Sequence, residues 1–171
     1  MVWTERITRL LRHRVVDERD TRRAIPREMV QRLASRVAAS EQKHTGEIRI
    51  YVEASLPTSY VMRDAVPRER AVAMFGKLGV WDTENNNGVL IYLLLVERAI
   101  EIVADRGVTS RVPAPEWEGI VAGMQAAFQA QRYEEGLQQA IDAVTSLLVQ
   151  HFPARAGAAN PNELPDEPLL G

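Results

Sequence analysis

The chain has 171 residues, 46% of them hydrophobic and 26% charged, with a formal net charge of −2 at neutral pH. These values are ordinary for one globular domain and exclude wholesale disorder. The chain has no cysteine, which excludes disulfides, thiolate metal sites and cysteine nucleophiles.

The sequence shows no signal for export or membrane insertion. Its start is rich in arginine and lacks the continuous apolar stretch of a signal peptide. The longest apolar run, residues 89–96, is far shorter than the roughly 20 residues that a membrane-spanning helix needs. We therefore expect a soluble cytoplasmic protein, either free or peripheral to a membrane.

Charge is distributed unevenly along the chain. Residues 1–36 carry ten arginines and five acids, a charge of +5, which leaves −7 for the remainder. We expect the basic segment to pack on its own acidic body, with an anionic lipid surface as the alternative. Nucleic acid is not an expected partner, because no aromatic residues are interleaved with the arginines.

The first predicted helix is short, basic and amphipathic. Its apolar residues Trp3, Ile7, Leu10 and Leu11 recur at helical spacing among arginines. We expect this stripe to dock on the domain, with a partner protein or a membrane interface as the alternatives. Residues 1–24 are assigned to this basic amphipathic N-terminal segment.

The predicted globular body spans residues 25–152. A helix begins near Pro26, a residue suited to a first helical turn. After Gly46, alternating apolar and polar residues over 48–52 predict a strand with one apolar and one polar face. A second helix is expected over 67–78.

The second half of the body begins with the polar, glycine-ended loop 81–88. The continuous apolar run that follows predicts a central strand covered by helices on both faces. Residues 99–104 predict the returning strand of a hairpin. Two further helices are expected, one from Pro115 and one over 133–151, and residues 153–171 predict a Pro/Ala/Asn-rich tail that is mobile or lies along the surface.

This order of elements predicts an α/β protein, a three-layer α/β/α sandwich around a small mixed β-sheet. The first strand, the crossover helix and the central strand are expected to form a parallel unit. The predicted body contains no internal repeat.

The predicted topology brings polar residues from three segments to one end of the sheet. The loop 81–88 precedes the central strand, the hairpin strand leaves at Asp105, and the first strand begins at Glu47. Glu53 leaves at the opposite end and is excluded. The candidate cation ligands are therefore Glu47, Asp82, Glu84, Asn85, Asn86, Asn87 and Asp105.

Oxygen atoms dominate this predicted site. Carboxylate and amide oxygens in a loop are ligands that Ca²⁺ prefers, and Mg²⁺ uses one or two carboxylates with water. The alternative is turn chemistry, in which the asparagines supply left-handed backbone conformations before a strand. The loop is too short for an EF-hand and lacks its terminal glutamate.

No other residues form a recognisable catalytic group. His13, His44 and His151 are far apart in sequence and lack a partner four residues away, so surface or capping roles are expected. The serines have no nucleophile-elbow context, and no phosphate-binding glycine loop is present. No organic cofactor is expected.

Four segments, in this order and spacing, resemble the TPM domain family. They are residues 46–48 at the first strand, 87–92 at the central strand, 98–102 at the returning strand and 128–137 before the last helix. The resemblance covers about residues 25–150. It identifies the chain as a bacterial member without a signal peptide or membrane helix, features that many bacterial members carry.

The resemblance implies an α/β/α sandwich and, in some members, acidic phosphatase activity or Ca²⁺ bound near the loop before the central strand. In this chain those roles fall on Asp82, Glu84, the three asparagines and Asp105. The glycine-rich exit of the family's returning strand is here the charged sequence Ala104-Asp105-Arg106-Gly107.

Three functions follow from these observations. We favour a divalent-cation-dependent interaction or assembly module with a membrane-associated protein partner, because no activated nucleophile or general-base pair is visible. The second is a metal-assisted phosphatase that hydrolyses phosphate monoesters. The third is a purely structural domain whose partner binds the N-terminal helix or the tail. We expect a monomer in each case.

Overall fold

A computed structural model describes residues 3–155, 157 and 160–171, with side chains from residue 6 onward. The helices are α1 (Trp3–Val15), α2 (Glu18–Ala24), α3 (Arg27–Glu41), α4 (Thr58–Met62), α5 (Pro67–Lys77), α6 (Arg106–Thr109), α7 (Ala114–Gln129) and α8 (Tyr133–His151). The strands are β1 (Glu47–Glu53), β2 (Gly88–Leu94), β3 (Ala99–Ala104) and β4 (Leu169–Leu170). The Trp3 side chain of the predicted apolar stripe lies outside the described residues.

The sheet is mixed and has the strand order β3-β2-β1-β4. β1 is parallel to β2 with Glu47 opposite Gly88, and β2 is antiparallel to β3 with Val89 opposite Ala104. The starts of β1 and β2 and the exit of β3 therefore meet at one end of the sheet, as predicted. The α/β fold class is confirmed.

Two hydrophobic cores lie on opposite faces of the sheet. One contains Ile50 and Ile91 together with buried residues of α3, α7 and α8. The other contains Leu90 and Tyr92 together with buried residues of α4 and α5. β2 is buried along its whole length, which explains why its sequence is a continuous apolar run rather than an alternating one.

The predicted strand β1 is present, and both its apolar and its polar face are buried. Glu53 forms a bidentate ion pair with Arg70, in which Arg70 Nε lies 3.0 Å from Glu53 Oε2. The Tyr92 hydroxyl donates to the same carboxylate at 2.7 Å. A buried charge is tolerated only when it is paired and hydrogen-bonded, and here both conditions are met.

Residues 160–171, which we call the return segment, run along the β1 edge of the sheet. Gly171 N donates to Val52 O at 2.9 Å, and Ala54 N donates to Gly171 O at 2.9 Å. Within the segment, β4 is parallel to β1. The sequence did not predict β4, because two residues are too few to show a period of two.

The buried guanidinium of Arg49 gives the return segment a second attachment. Arg49 Nη1 donates to the main-chain oxygens of Pro165 at 2.7 Å and Glu167 at 2.5 Å. On the polar face of β1, Arg49 is thus satisfied by main-chain carbonyls and Glu53 by the side chains of Arg70 and Tyr92. The alternating pattern of the strand is real, but its polar residues face partners from distant parts of the chain.

Helix α1 docks on its own domain through polar side chains, whereas Ile7 and Leu11 of the predicted apolar stripe are exposed. Arg9 donates to Asp64 Oδ1 at 2.9 Å, Glu97 Oε1 at 2.8 Å and Ala65 O at 2.6 Å. His13 Nδ1 accepts the Leu56 N–H at 3.0 Å. In the part of the chain that the structure describes, no helix combines the length and apolar character needed to cross a membrane.

Glu41 and Glu47 form an acidic pair where α3 meets β1 and the return segment. Glu41 Oε1 accepts the Ile48 N–H at 2.9 Å, and Glu47 Oε2 accepts the Leu164 N–H at 3.1 Å. Burial, with the neighbouring carboxylates of Glu47 and Asp166, raises the pKa of Glu41 to about 8. Burial also raises the pKa of Glu47.

Replacement of Gly136 by alanine is expected to destabilise the fold by about 1–3 kcal/mol through overpacking. A Cβ at this position in α8 lies 2.6 Å from Cζ of the fully buried Phe128 ring. Gly123→Ala in α7 is the matched control, because its Cβ meets nothing within 4 Å. The control is expected to stabilise by about 0.5–1 kcal/mol. Urea unfolding measures both, and a Gly136→Ala protein as stable as the wild type contradicts the packing described here.

The protonated Glu41 makes stability dependent on pH. Its folded pKa of about 8 exceeds the ordinary value of 4.5, so the folded state holds a proton that the unfolded state has lost between these values. The stability that this proton contributes is therefore fully present below pH 4.5 and is lost as the pH rises to the folded value of about 8, by up to about 1.4 kcal/mol per pH unit.

Glu41→Gln is expected to flatten this dependence, because the amide oxygen still accepts the Ile48 N–H and carries no proton to lose. The free energy of unfolding, measured by urea titration from mildly acidic to mildly basic pH, tests it. Gln42→Glu, next to it in the chain and exposed, controls for a general effect of surface charge. An unchanged slope in Glu41→Gln contradicts the assignment.

Candidate cation site

The loop 81–88 is held by turn hydrogen bonds around Thr83. Asn86 N donates to Thr83 O at 3.1 Å, and Asn87 N donates to Thr83 Oγ1 at 3.1 Å. Asn86 has a φ of 51°, the left-handed conformation that asparagine tolerates well. The expected turn chemistry is therefore present, and it fixes where the next side chain lies.

Asn87 is fully buried at the start of β2. Its Nδ2 donates to Thr45 O at 2.9 Å and lies 3.2 Å from Thr45 Oγ1, which sets the orientation of the amide. Its Oδ1 is buried and has no hydrogen-bond partner among the described residues. Buried amide oxygens normally accept a hydrogen bond or bind a cation, so this unpaired oxygen is a candidate ligand.

Asp105 lies opposite Gly88, the residue after Asn87, where β3 leaves the sheet. Its main-chain N donates to Gly88 O at 2.9 Å, and its Oδ1 accepts the Arg106 N–H at 2.6 Å. The second carboxylate oxygen, Oδ2, is also buried with no partner in the part of the chain that is described. Two unpaired acceptors, one amide and one carboxylate, thus belong to neighbouring backbone positions.

Two glycines allow the loop to lie directly against these strands. A Cβ at Gly88 would overlap Val80 O, and a Cβ at Gly107 would overlap Asn86 O. The same Cβ at Gly107 would lie 3.0 Å from Asn85 O. Main-chain oxygens of the loop are therefore packed against the residues that follow Asp105.

The other predicted ligands are placed differently. Asp82, Glu84 and Asn85 are exposed on the loop, where their oxygens face solvent. Glu47 is 1% exposed and its carboxylate accepts the Leu164 N–H of the return segment. Over the described residues, no group of three or more histidine, aspartate or glutamate side chains is arranged to hold a metal ion. A cation here would depend on amide, main-chain and single carboxylate oxygens.

Three residues that position this site were not identified from the sequence. Thr45 and Thr83 orient Asn87 through the bonds given above, and Glu163 accepts the Glu84 N–H at 3.0 Å. A threonine before a strand or in a loop carries no distinct signal. Glu163 was missed because the return segment shows no periodicity.

The expectation of surface or capping histidines is wrong for His13 and His44, which are buried. His44 Nδ1 donates to Gly46 O at 3.0 Å, and Ser40 Oγ lies 2.8 Å from His44 Nε2. Burial lowers the pKa of His44 to about 4, so the imidazole is neutral near pH 7. Both members of this Ser–His pair are buried, which makes it a structural hydrogen-bond chain.

The comparisons with known proteins agree with this architecture. A sequence model of the TPM domain matches residues 19–147. The fold is similar to the NMR structure of the BA42 protein from the psychrophilic bacterium Bizionia argentinensis, with a TM-score of 0.73 and 24% sequence identity. That similarity covers 84% of this chain and 93% of the other, and it shows the fold alone. No curated protein matches the chain. Because the family match spans most of the sequence, the chain belongs to the TPM domain family.

Proposed function

We propose that this TPM domain binds a divalent cation, Ca²⁺ before Mg²⁺, at the loop 81–88. It then serves as an interaction or assembly module for a membrane-associated protein partner. The observation that carries the cation part is the pair of buried, unpaired oxygens, Asn87 Oδ1 and Asp105 Oδ2. Each such group is destabilising by about 1–3 kcal/mol when left unpaired, and a cation is one kind of partner for such an oxygen.

The donor set favours Ca²⁺. This ion takes six to eight oxygen ligands in flexible geometry, including amide and main-chain oxygens, whereas Mg²⁺ requires a near-ideal octahedron. Asn87 and Asp105 supply the buried ligands, and the exposed oxygens of Asp82, Glu84 and Asn85 lie on the same loop. With one buried carboxylate, the affinity is expected in the weak range of about 10⁻⁴–10⁻³ M.

The surface of α1 supports a membrane-associated partner. Ile7, Leu11 and Val15, each one turn after the last, are 38%, 59% and 77% exposed. Arg12 and Arg14 of the same helix are exposed too. An apolar stripe beside basic residues is typical of helices that lie at an anionic membrane interface.

Replacement of Asp105 by asparagine is expected to weaken Ca²⁺ binding by about tenfold or more, because it removes the buried charge. Asparagine caps helices as well as aspartate does, so α6 is retained. Amide chemical shifts during Ca²⁺ and Mg²⁺ titration, with calorimetry, measure the effect. Glu116→Gln, exposed in the first turn of α7, is the control. The absence of any shift in the wild type at millimolar ion overturns the cation proposal.

The same variants decide the alternative function, a metal-assisted phosphatase. Its supporting observation is the unpaired Oδ2 of Asp105, because a carboxylate oxygen without a partner can act as a general base toward water beside a cation. Hydrolysis of p-nitrophenyl phosphate that requires the cation and disappears in Asp105→Asn favours the phosphatase. No hydrolysis by a protein that binds Ca²⁺ favours the interaction module.

The membrane-facing role of α1 is expected to be lost in Leu11→Glu, which places a charge in the exposed stripe. Co-sedimentation with phosphatidylcholine vesicles, with and without phosphatidylserine, measures binding. The wild type is expected to bind only the vesicles that contain phosphatidylserine. Leu11→Glu is expected to bind them about tenfold more weakly, because an apolar side chain is lost from the interface. Val72→Glu, an exposed apolar residue of α5, is the control. Equal sedimentation of all three proteins contradicts the role.

A further inference from the structure

Strand β3 forms one edge of the sheet. Asp105 N donates to Gly88 O, and the alternation of an antiparallel ladder then turns the N–H and C=O groups of Ile100, Ile102 and Ala104 away from β2. The Arg68 guanidinium donates to Ile102 O, which agrees with this orientation. Among the described strands none pairs with this outer side, so the edge carries main-chain donors and acceptors at two-residue spacing.

A groove of about 540 Å³ lies beside this edge, between β3, α6 and α7. Its apolar lining includes Ile102, Val112, Trp117 and Val121. Trp117 Nε1 is buried and has no hydrogen-bond acceptor in the described part of the chain. The groove therefore offers an apolar wall and a strand edge to a single occupant, and its lining residue Trp117 carries an N–H donor without a partner among the described residues.

The charges of the groove restrict the class of occupant. Arg68, Glu101 and Glu118 are its charged lining residues, one positive and two negative. Nucleic acid and anionic lipid headgroups are disfavoured by this balance. A chain of alternating donors and acceptors is required to pair with the edge, and an extended peptide has that arrangement.

The opposite edge of the same sheet already holds an extended segment. There β4 lies parallel to β1, and Gly171 exchanges main-chain hydrogen bonds with Val52 and Ala54 at 2.9 Å each. β4 is only two residues long, Leu169 and Leu170, and both pair with β1. The sheet thus binds a short strand through main-chain groups at one edge, and the β3 edge presents the same kind of groups.

We propose that the β3 edge and its groove bind an extended peptide of a partner protein, which adds a strand beside β3. Main-chain bonds to Ile100, Ile102 and Ala104 provide affinity, and alternate apolar side chains enter the groove against Trp117 and Val121. A peptide carbonyl accepts the Trp117 N–H. This site goes beyond the cation site and does not rest on it.

Arg68 acts on the same edge as a competitor. Its bond to Ile102 O occupies a carbonyl that an added strand needs, and its guanidinium lies 3.6 Å from Glu101. A charged side chain over an edge strand is a known means of limiting unwanted pairing. The incoming peptide displaces Arg68 from the carbonyl, so this residue lowers affinity rather than provides it.

The test begins with a phage library of random linear peptides selected on the whole chain in EDTA. The enriched peptide, synthesised with a fluorescent label, is titrated by anisotropy against the wild type and variants. Ala104→Pro removes an outward N–H without removing a bond to β2, and about tenfold or greater loss of binding is expected. Arg68→Ala is expected to tighten binding by about threefold to tenfold. Glu116→Gln, outside the groove, is expected to leave it unchanged.

Two further measurements keep the test independent of how Ala104→Pro folds. Trp117→Phe keeps the ring and removes the N–H, and it is expected to weaken binding by about threefold to tenfold. Amide exchange of Ile100 and Ile102 is expected to slow in the complex. The proposal is overturned if no peptide is enriched, if the peptide shifts map away from β3, or if a second copy of this chain occupies the edge as a dimer. Because EDTA removes the cation, failure here is separable from failure of the cation site.

Discussion

The structure depends on the burial of charged residues in β1, a strand that is covered on both faces and flanked by two other strands. Arg49 and Glu53 point to the same face, and each requires a partner because an unpaired buried charge is strongly destabilising. α5 and β2 satisfy Glu53 through Arg70 and Tyr92. The return segment satisfies Arg49 through main-chain oxygens. The charged residues of β1 therefore need partners from two distant parts of the chain, α5 with β2 and the return segment. These contacts hold the sheet between its two hydrophobic cores.

The candidate cation site follows from the same sheet. The parallel pairing of β1 with β2 and the antiparallel pairing of β2 with β3 place Asn87 and Asp105 at one end of the sheet. Asp105 N is bonded to Gly88 O, and Asn87 N to the Thr83 hydroxyl. The loop sets the backbone conformation before Asn87, and the strand pairing sets the positions of the segments that carry Asn87 and Asp105. A fold that pairs Arg49 and Glu53 so completely leaves Asn87 Oδ1 and Asp105 Oδ2 unpaired. Departures from full polar satisfaction are expected at functional sites, and this contrast within one molecule is the reason to place function there.

Long, strongly patterned elements could be predicted from the sequence. α8 was predicted over residues 133–151 and has those bounds, because Leu137, Ile141 and Leu148 repeat at helical spacing. The apolar run of β2 and the tight hairpin to β3 then predict that the start of β2 and the end of β3 lie at the same end of the sheet, so that the loop before β2 lies near Asp105. Short elements such as α4, α6 and β4 show no periodicity over so few residues. The partner of Glu47 and the burial of His44 depend on tertiary contacts with residues far along the chain, which local pattern does not carry.

The end of β3 is shared by the two proposed binding sites, the peptide site at the β3 edge and the cation site at the end of the sheet. β1 is closed by residues of this chain, whereas β3 is limited by the single side chain of Arg68. Ala104, at the outer edge of β3, is followed directly by Asp105, so a peptide bonded at one residue and a cation bound at the next act on the same stretch of backbone. This stretch of backbone is held by the bond from Asp105 N to Gly88 O, so coupling between the two proposed ligands would be a difference in binding free energy at a shared segment. Linkage requires the effect to be reciprocal: a cation that tightens strand addition by a given factor is itself bound more tightly by that factor when the strand is present. Coupling of this kind needs no change of fold, only a shared segment that both ligands hold.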